Sequence, residues 1–491
     1  MKSRKKMEVE PEKLTDLPKP EKWQVGFETY QSPFTFRYGT DPMRRIWSQE
    51  HFWLTVRDIW IAVAEVQSEV GLVTREQLED LKAHRYQLSV ERIFQFERHP
   101  TLGTGHDVAA AIAEFSEVAP IGGRILHQGL TSEDVLSNAE IMQVRDSFGL
   151  VRGNLVALLK AFGGQIGKYN GLECIGVSHW QAAEPTTMGY RFSKYAENSE
   201  EDLGKLDDLL PRIKAKGIKG PVGTRGSIAN ILGGRGMTAA ELERKVMAKL
   251  NLPYFSVSGQ TYPRRTLFTI EEVLSSIGSS LHEFSFNLQF LQSSFVDEVS
   301  EPRRKGQVGS SAMPFKQNPV NSESVSALTE VLPGQLFSAW MTKAFDSLER
   351  TLRDSAGKRI WLPESFLIAD EALTRTERVV KGLEVHENMV KTNLRRFASN
   401  AATEIILGKL EIAGMDRKEA HEIILGHAEK VVEIVRSGEL NPMEEFLMAD
   451  SRITGLIGER VVEEAFIEIF SHIGDAKKEA ARVARRIARI K

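Results

Sequence analysis

At 491 residues, the chain is about three times the ~150 residues that one domain typically occupies, which predicts two to four domains around a large core. With 41% hydrophobic and 27% charged residues, 38 Gly and 18 Pro, the composition excludes collagenous, low-complexity and wholly disordered classes. Lys plus Arg (64) against Asp plus Glu (67) leaves a net charge of -3, which gives no case for nucleic acid or a membrane surface as partner. The single cysteine, Cys174, forbids an intrachain disulfide and any multi-cysteine metal site, and it fits a reducing, cytoplasmic compartment. No uninterrupted apolar stretch approaches the ~18 to 20 residues of a membrane span.

Residues 1–28 read as a solvated tail: Lys2, Arg4, Lys5 and Lys6 are answered by Glu8, Glu10, Glu12 and Asp16, which weakens a nucleic-acid or targeting role. Ser48 then suits a helix N-cap, with Phe52, Val56, Ile59, Val63, Val66 and Val70 recurring at helical spacing until Gly71. A second stripe runs Ile141, Val144, Phe148, Val151, Leu155, Leu158, Phe162. A third, the steadiest, runs Ile270, Leu274, Ile277, Leu281, Phe284, Leu288, Leu291, Phe295. Seams of this length predict helices packed side by side in a bundle. Pro333 breaks or kinks the next apolar stretch, Val325 to Trp340. Further helices are expected near Ile405, Leu410, Ile423 to Ile434 and Ala476 to Lys491, and strand patterns are sparse. The expected architecture is mostly α: an N-terminal helical domain (29–130), a long central helical bundle (131–385) and a C-terminal helical domain (386–491).

Polar, glycine-bearing segments interrupt these helices: GLTSEDV (129–135), SHWQAAEPTTMG (178–189), KGPVGTRG (219–226), GQTYPRR (259–265), GSSAMPFKQNP (309–319) and ERTLRDSAGKRI (349–360). In GSSAMPFKQNP, the Gly309-Ser310-Ser311 backbone, the Lys316 cation and the Asn318 amide could close over an anion and bring a base with them, or form a solvated linker. His179 is a residue type that can protonate a leaving amine, though a lone histidine is more often structural. Asp107 could orient His106 or cap a helix. Arg350, Arg353, Lys358 and Arg359 around Ser355 form a candidate phosphate clamp or a charged helix end. No P-loop, dinucleotide fingerprint or HExxH motif is present, and the 11 His suggest no metal site.

Together, and in this order along the chain, GLTSEDV, SHWQAAEPTT and GSSAMPFKQNP resemble the three active-site regions of the fumarase/aspartase superfamily. Within it, YQSPFTFRYGTDPMRRIWS, GQTYPRR and ERTLRDSAGKRI are most similar to the adenylosuccinate lyase family, over roughly residues 30–480. The resemblance implies a three-domain fumarase/aspartase-type fold and a homotetramer with a twenty-helix core and shared active sites. It also implies elimination of fumarate from adenylosuccinate, giving AMP, and from SAICAR, giving AICAR, with no metal and no organic cofactor. Carried over by position, Ser310 is the general base and His179 the general acid. Lys316 and Asn318 steady the charged carboxylate, and Arg37, Tyr38, Arg350, Ser355 and Arg359 hold the nucleotide. Thr131, Ser132 and Gln260 hold the succinyl part, and His106 and Asp107 form a further binding pair.

Five positions depart from the family pattern: Gly105 stands where a basic residue usually precedes the His-Asp pair, Val177, Ser178 and Trp180 flank the histidine, and Ser324 replaces an arginine. These departures keep open a sibling lyase acting on another N-succinyl compound. A retired enzyme kept as a binding protein is disfavoured by the presence of Ser310, His179 and Lys316 together.

Overall fold

The apolar stripes fold as long helices whose inward faces are closed to solvent. A computed structural model describes residues 13–20 and 26–491. Lys2, Arg4, Lys5, Lys6, Glu8, Glu10 and Glu12 of the expected tail lie outside the described residues. Ser48 caps the helix Gln49–Ser68, accepting from the His51 N–H at 3.2 Å, and the stripe from Val56 to Val66 is buried. The second stripe lies on Ser132–Tyr169, each of its seven members at most 1% exposed, and the third lies on Arg265–Leu291. That third helix stops short of the expected seam: Phe295 is 95% exposed, past the helix end, where Asp297 takes a left-handed φ of 53°. Pro333 separates two helices, Val320–Thr329 and Leu332–Ala344, sitting in the first turn of the second, where its missing N–H costs nothing.

Among the described residues, strands form only two antiparallel pairs: β1 (Glu173–Ser178) with β2 (Gln181–Thr187), and β3 (Val299–Ser300) with β4 (Glu384–Val385). The chain forms two compact units. The first takes the chain up to Arg152, Gly204–Ser276 and Val331–Glu371; the second takes Gly153–Leu203, Ile277–Glu330 and Ala372–Lys491.

In the first unit, Phe366 of the helix Ser355–Gly382 receives Phe148 edge-on at 4.9 Å and stacks with Trp47 at 5.5 Å. The segment around Arg37 lies along the same helix, with the Gly39 N–H donating to Glu371 and the Thr40 N–H to Asp370 at 2.7 Å. Only glycine suits residue 39, whose φ is +80° and whose missing Cβ would meet Leu367 at 2.6 Å.

In the second unit, the helix Glu387–Ile412 buries Leu394, Ala398, Ala402 and Ile406 with Ile175 of β1 and with Val462, Ala465 and Phe466 of the helix Glu459–Glu468. At ~1.5–3 kcal/mol for each fully buried large apolar side chain, burial in this cluster strongly favours packing of these elements together.

Candidate active site

Four of the polar segments, 129–135, 219–226, 259–265 and 349–360, meet in the first unit. A cavity of about 310 Å³ is lined by Asp107, Arg350, Ser355 and Arg359, and also by Glu133, Glu140 and Lys358, with an aromatic wall of Trp47, Phe52, Trp53 and Phe94. Ser355 opens a 28-residue helix. Its first-turn N–H groups and positive dipole end therefore face the same space as Arg350, Lys358 and Arg359, an arrangement suited to a phosphate.

Three of the four cations lining the cavity are held by carboxylates at 2.9 Å, Arg350 by Glu133, Lys358 by Glu140 and Arg359 by Asp107, while the fourth, Arg98, lies over the Phe94 ring. Burial alone would raise the Glu140 carboxyl. The charges of Lys358 and Arg264, with hydrogen bonds from Lys358 and the Tyr262 hydroxyl, outweigh it and hold the group below its ordinary value. Glu140 therefore stays anionic and fixes Lys358 at the cavity floor.

Thr131 and Ser132 stand at the start of the helix Ser132–Tyr169. The Gln260 side chain donates to Thr131 Oγ1 at 3.4 Å, and its backbone N–H donates to the Glu349 carbonyl at 2.8 Å, next to Arg350. His106 is itself the N-cap of the helix Asp107–Val118, and Asp107 follows it in the first turn, 3.4 Å from the imidazole. Of the two roles open for Asp107, the structure adds a third, the partner of Arg359. Arg37 and Tyr38 do not line the cavity: Arg37 is exposed, and the Tyr38 ring packs with Phe34.

Two supports went unseen in the sequence. Asp134 accepts from the Thr131 N–H at 2.9 Å, from Lys216 Nζ at 2.5 Å and from the Lys219 and Gly220 N–H groups at 2.9 and 3.1 Å, with Asp134, Lys216 and Lys219 themselves closed to solvent. KGPVGTRG is thus a brace, with Lys219 paired to Glu243 in the interior, and its polar composition signals structure here. His127, at a left-handed φ of 64°, accepts the Trp60 indole N–H at Nδ1, 3.1 Å away. Burial first, with His106 and Lys216 also opposing the charge, takes its pKa down to about 4 despite Asp134. It is neutral, and with Nδ1 accepting, its proton is on Nε2.

The remaining site residues belong to the second unit. His179 and Trp180 are the two central residues of the β1–β2 turn, with φ of 50° and 62°. Such turns ordinarily demand Asn or Gly. Here the Trp180 ring packs edge-on over Phe290 at 4.8 Å and Phe286 at 6.1 Å, which fixes the turn and leaves His179 exposed at its tip. Strain held by packing in this way is characteristic of functional positions. In the other segment, Ser310 Oγ accepts from the Met313 N–H at 3.1 Å, a contact that favours a negative oxygen. The Asn318 amide donates to the Gly309 carbonyl at 3.1 Å and so closes the loop on itself, while Lys316 is exposed.

Residues 35–334 match the family model described as lyase. The chain is 33% identical to an adenylosuccinate lyase of Schistosoma mansoni over 86% of this chain and 88% of that one. It is 31% identical to that of Saccharomyces cerevisiae over 85% and 87%, and 30% identical to that of Pyrococcus horikoshii over 92% and 96%. In fold, it matches a crystal structure of a fumarate lyase from Mesorhizobium sp. with a TM-score of 0.79 at 21% identity, covering 93% of this chain and 99% of that one. It also matches 3-carboxy-cis,cis-muconate lactonizing enzyme from Pseudomonas putida with a TM-score of 0.80 at 19% identity, covering 94% and 99%. With these relatives over most of its length and this fold, the chain belongs to the adenylosuccinate lyase family of the fumarase/aspartase superfamily and is a carbon–nitrogen lyase of that type.

Proposed function

We propose that the protein eliminates fumarate from adenylosuccinate, leaving AMP, and from SAICAR, leaving AICAR, in purine nucleotide biosynthesis. The Ser310 alkoxide takes the succinyl Cβ proton and becomes a hydroxyl. The C–H electron pair forms the fumarate double bond, the C–N bond breaks, and the departing nitrogen takes its proton from His179. Before the C–N bond breaks, negative charge builds on the carboxylate beside the carbanion, and preorganised cations and dipoles lower that barrier. Lys316 supplies the cation, and the N-terminus of the Ser132–Tyr169 helix, with Thr131, Ser132 and Gln260, receives the succinyl carboxylates. Asn318 holds the loop in shape. Arg350, Ser355 and Arg359 take the phosphate, and His106 and Asp107 complete the nucleotide contacts.

The observation that carries this reading is the cavity in which Arg350, Lys358, Arg359 and the start of a 28-residue helix converge. A phosphate is the ligand that this arrangement fits. The test is purified protein with each substrate in turn, following the purine absorbance and free fumarate. Release of fumarate from both substrates is expected, and no release at enzyme concentrations comparable to substrate rejects the reading.

We also propose a cytoplasmic homotetramer with active sites shared between subunits, and the three-domain division at residues 130 and 385. Support for assembly comes from the helix Leu332–Ala344, where Phe337 and Trp340 stack at 6.2 Å while 63% and 51% exposed. Light scattering should give four chains. Mixing His179→Ala with Ser310→Ala protein should restore part of the activity, because a shared site can draw its acid and base from different chains. No recovery after subunit exchange counts against that geometry.

A further inference from the structure

We propose that Glu301 is a positioning residue for the loop that carries Ser310: its carboxylate clasps Asn321 and Ser322, and so sets the geometry from which the base acts. This rests on the elimination proposed above. Glu301 is 4% exposed and accepts four hydrogen bonds. Oε1 takes the Ser322 N–H and hydroxyl, both at 2.6 Å, and Oε2 takes the Asn321 N–H at 3.0 Å and its amide at 2.8 Å. A carboxylate has about four lone-pair positions, so all of them are used. Two of the donors are first-turn N–H groups of the helix Val320–Thr329, which have no partner within the helix, and an anion at that end also answers the helix dipole.

Gln292 adds a second tie. Its Oε1 accepts from the Glu301 N–H at 2.9 Å and its Nε2 donates to the Gln317 carbonyl at 3.2 Å. Residue 301 is thereby joined to residues 317, 321 and 322. Between these points the side-chain hydrogen bonds stay local, Arg303 to Gln307, Met313 to Ser310 and Asn318 to Gly309, and residues 303–306 and 311–317 are exposed.

Behind the clasp the chain is fixed. β3 pairs with β4, the Ser300 hydroxyl meets His386 Nε2 at 3.1 Å, and Glu298 is held by Arg191 at 3.0 Å and Asn393 at 3.2 Å. Glu301 thus stands between a fixed anchor and the start of a helix, and the loop's span is set by its side chain. A loop freed at its base samples many more closures. A displacement of about 1 Å of a reacting group can cost on the order of 100-fold in rate.

Glu301→Gln tests this, because an amide keeps the shape but turns a donor toward either Ser322 or Asn321. With adenylosuccinate, kcat should fall about 10- to 100-fold while KM stays within about threefold. Proteolytic cleavage within 302–320, measured without substrate, should quicken by about an order of magnitude. Glu301→Asp, which keeps both acceptors one methylene back, should recover part of each effect. Gln292→Ala, which cuts only the second tie, should move both readouts the same way, and it decides the matter if Glu301→Gln does not fold. A folded Glu301→Gln protein with wild-type kcat, with unchanged cleavage, or with its loss confined to KM overturns the proposal. Failure of the wild-type protein to turn over adenylosuccinate would instead reject the proposed reaction, and the cleavage readout would still decide the clasp.

Discussion

The Asp134 carboxylate and the Lys216 ammonium meet at 2.5 Å with neither side chain exposed to solvent. Burial pushes the lysine's pKa down and the adjacent Asp134 charge opposes that shift, so the pair stays together only because each ion compensates the other. The same carboxylate holds the Thr131 N–H. Lys216→Met should therefore cost about 3–5 kcal/mol, the penalty of leaving a buried charge unpaired, with Asp134→Asn in the same chain recovering part of it. Urea unfolding of the three proteins checks this. A single variant within about 1 kcal/mol of wild type would show that water or another group takes over the lysine's role.

Pairing of the cavity cations with Glu133, Glu140 and Asp107 means that a phosphate must exchange for or join a carboxylate already there. Charge-assisted hydrogen bonds are worth roughly 1.5–3 kcal/mol, so Arg350→Gln or Arg359→Gln should lower kcat/KM for adenylosuccinate by about 10- to 100-fold. The dephosphorylated nucleoside analogue is the control, since it should be a poor substrate for wild type and variant alike. Equal losses on both compounds would place the arginines elsewhere in substrate recognition.

Much of this was legible in the sequence because burial and spacing carry the same information. The stripes on Ser132–Tyr169 and Arg265–Leu291 had to face inward wherever they folded, and the segment bearing Arg350, Ser355 and Arg359 stood out as a polar break between helices. Phe295 misled because an apolar residue at the next helical interval looks identical whether the helix continues or the chain turns. Glu133 and Glu140 were invisible for the opposite reason: on a helix they read as surface charges, and only the tertiary fold turns them toward Arg350 and Lys358. The strain at His179 and Trp180 is a backbone property that no residue type announces, since neither is a residue such a turn prefers.

Glu271 supplies a pH dependence unrelated to catalysis. It is 0% exposed on the helix Arg265–Leu291, and burial raises its pKa to about 8, opposed by the nearby Ser365 hydroxyl. The folded chain keeps this proton between its ordinary value of 4.5 and about 8, where the unfolded chain has lost it. Stability contributed by the neutral form is therefore present at low pH and falls as pH rises through that window. Glu271→Gln should remove the dependence, so that its melting temperature relative to wild type climbs between pH 5 and pH 8. Parallel melting curves for the two proteins across that range would mean that water reaches the carboxyl.

Trp180 holds the His179 turn, and the two contributions it makes can be separated. Its ring rests on Phe290 and Phe286, while its backbone sits at a φ of 62° that any side chain disfavours by roughly 1–2 kcal/mol. Trp180→Ala removes the ring and keeps the strain; Trp180→Gly removes both. The glycine variant should therefore be the more stable of the two by about 1 kcal/mol, because glycine adopts the left-handed region without cost. Both should nonetheless lose activity, by about 10-fold or more in kcat, since the general acid is then carried on an unsupported turn. If the alanine variant kept full activity, the turn's backbone pairing alone would suffice to aim His179. If the glycine variant alone kept it, the ring would serve only to hold the strained backbone, with no part in orienting the acid.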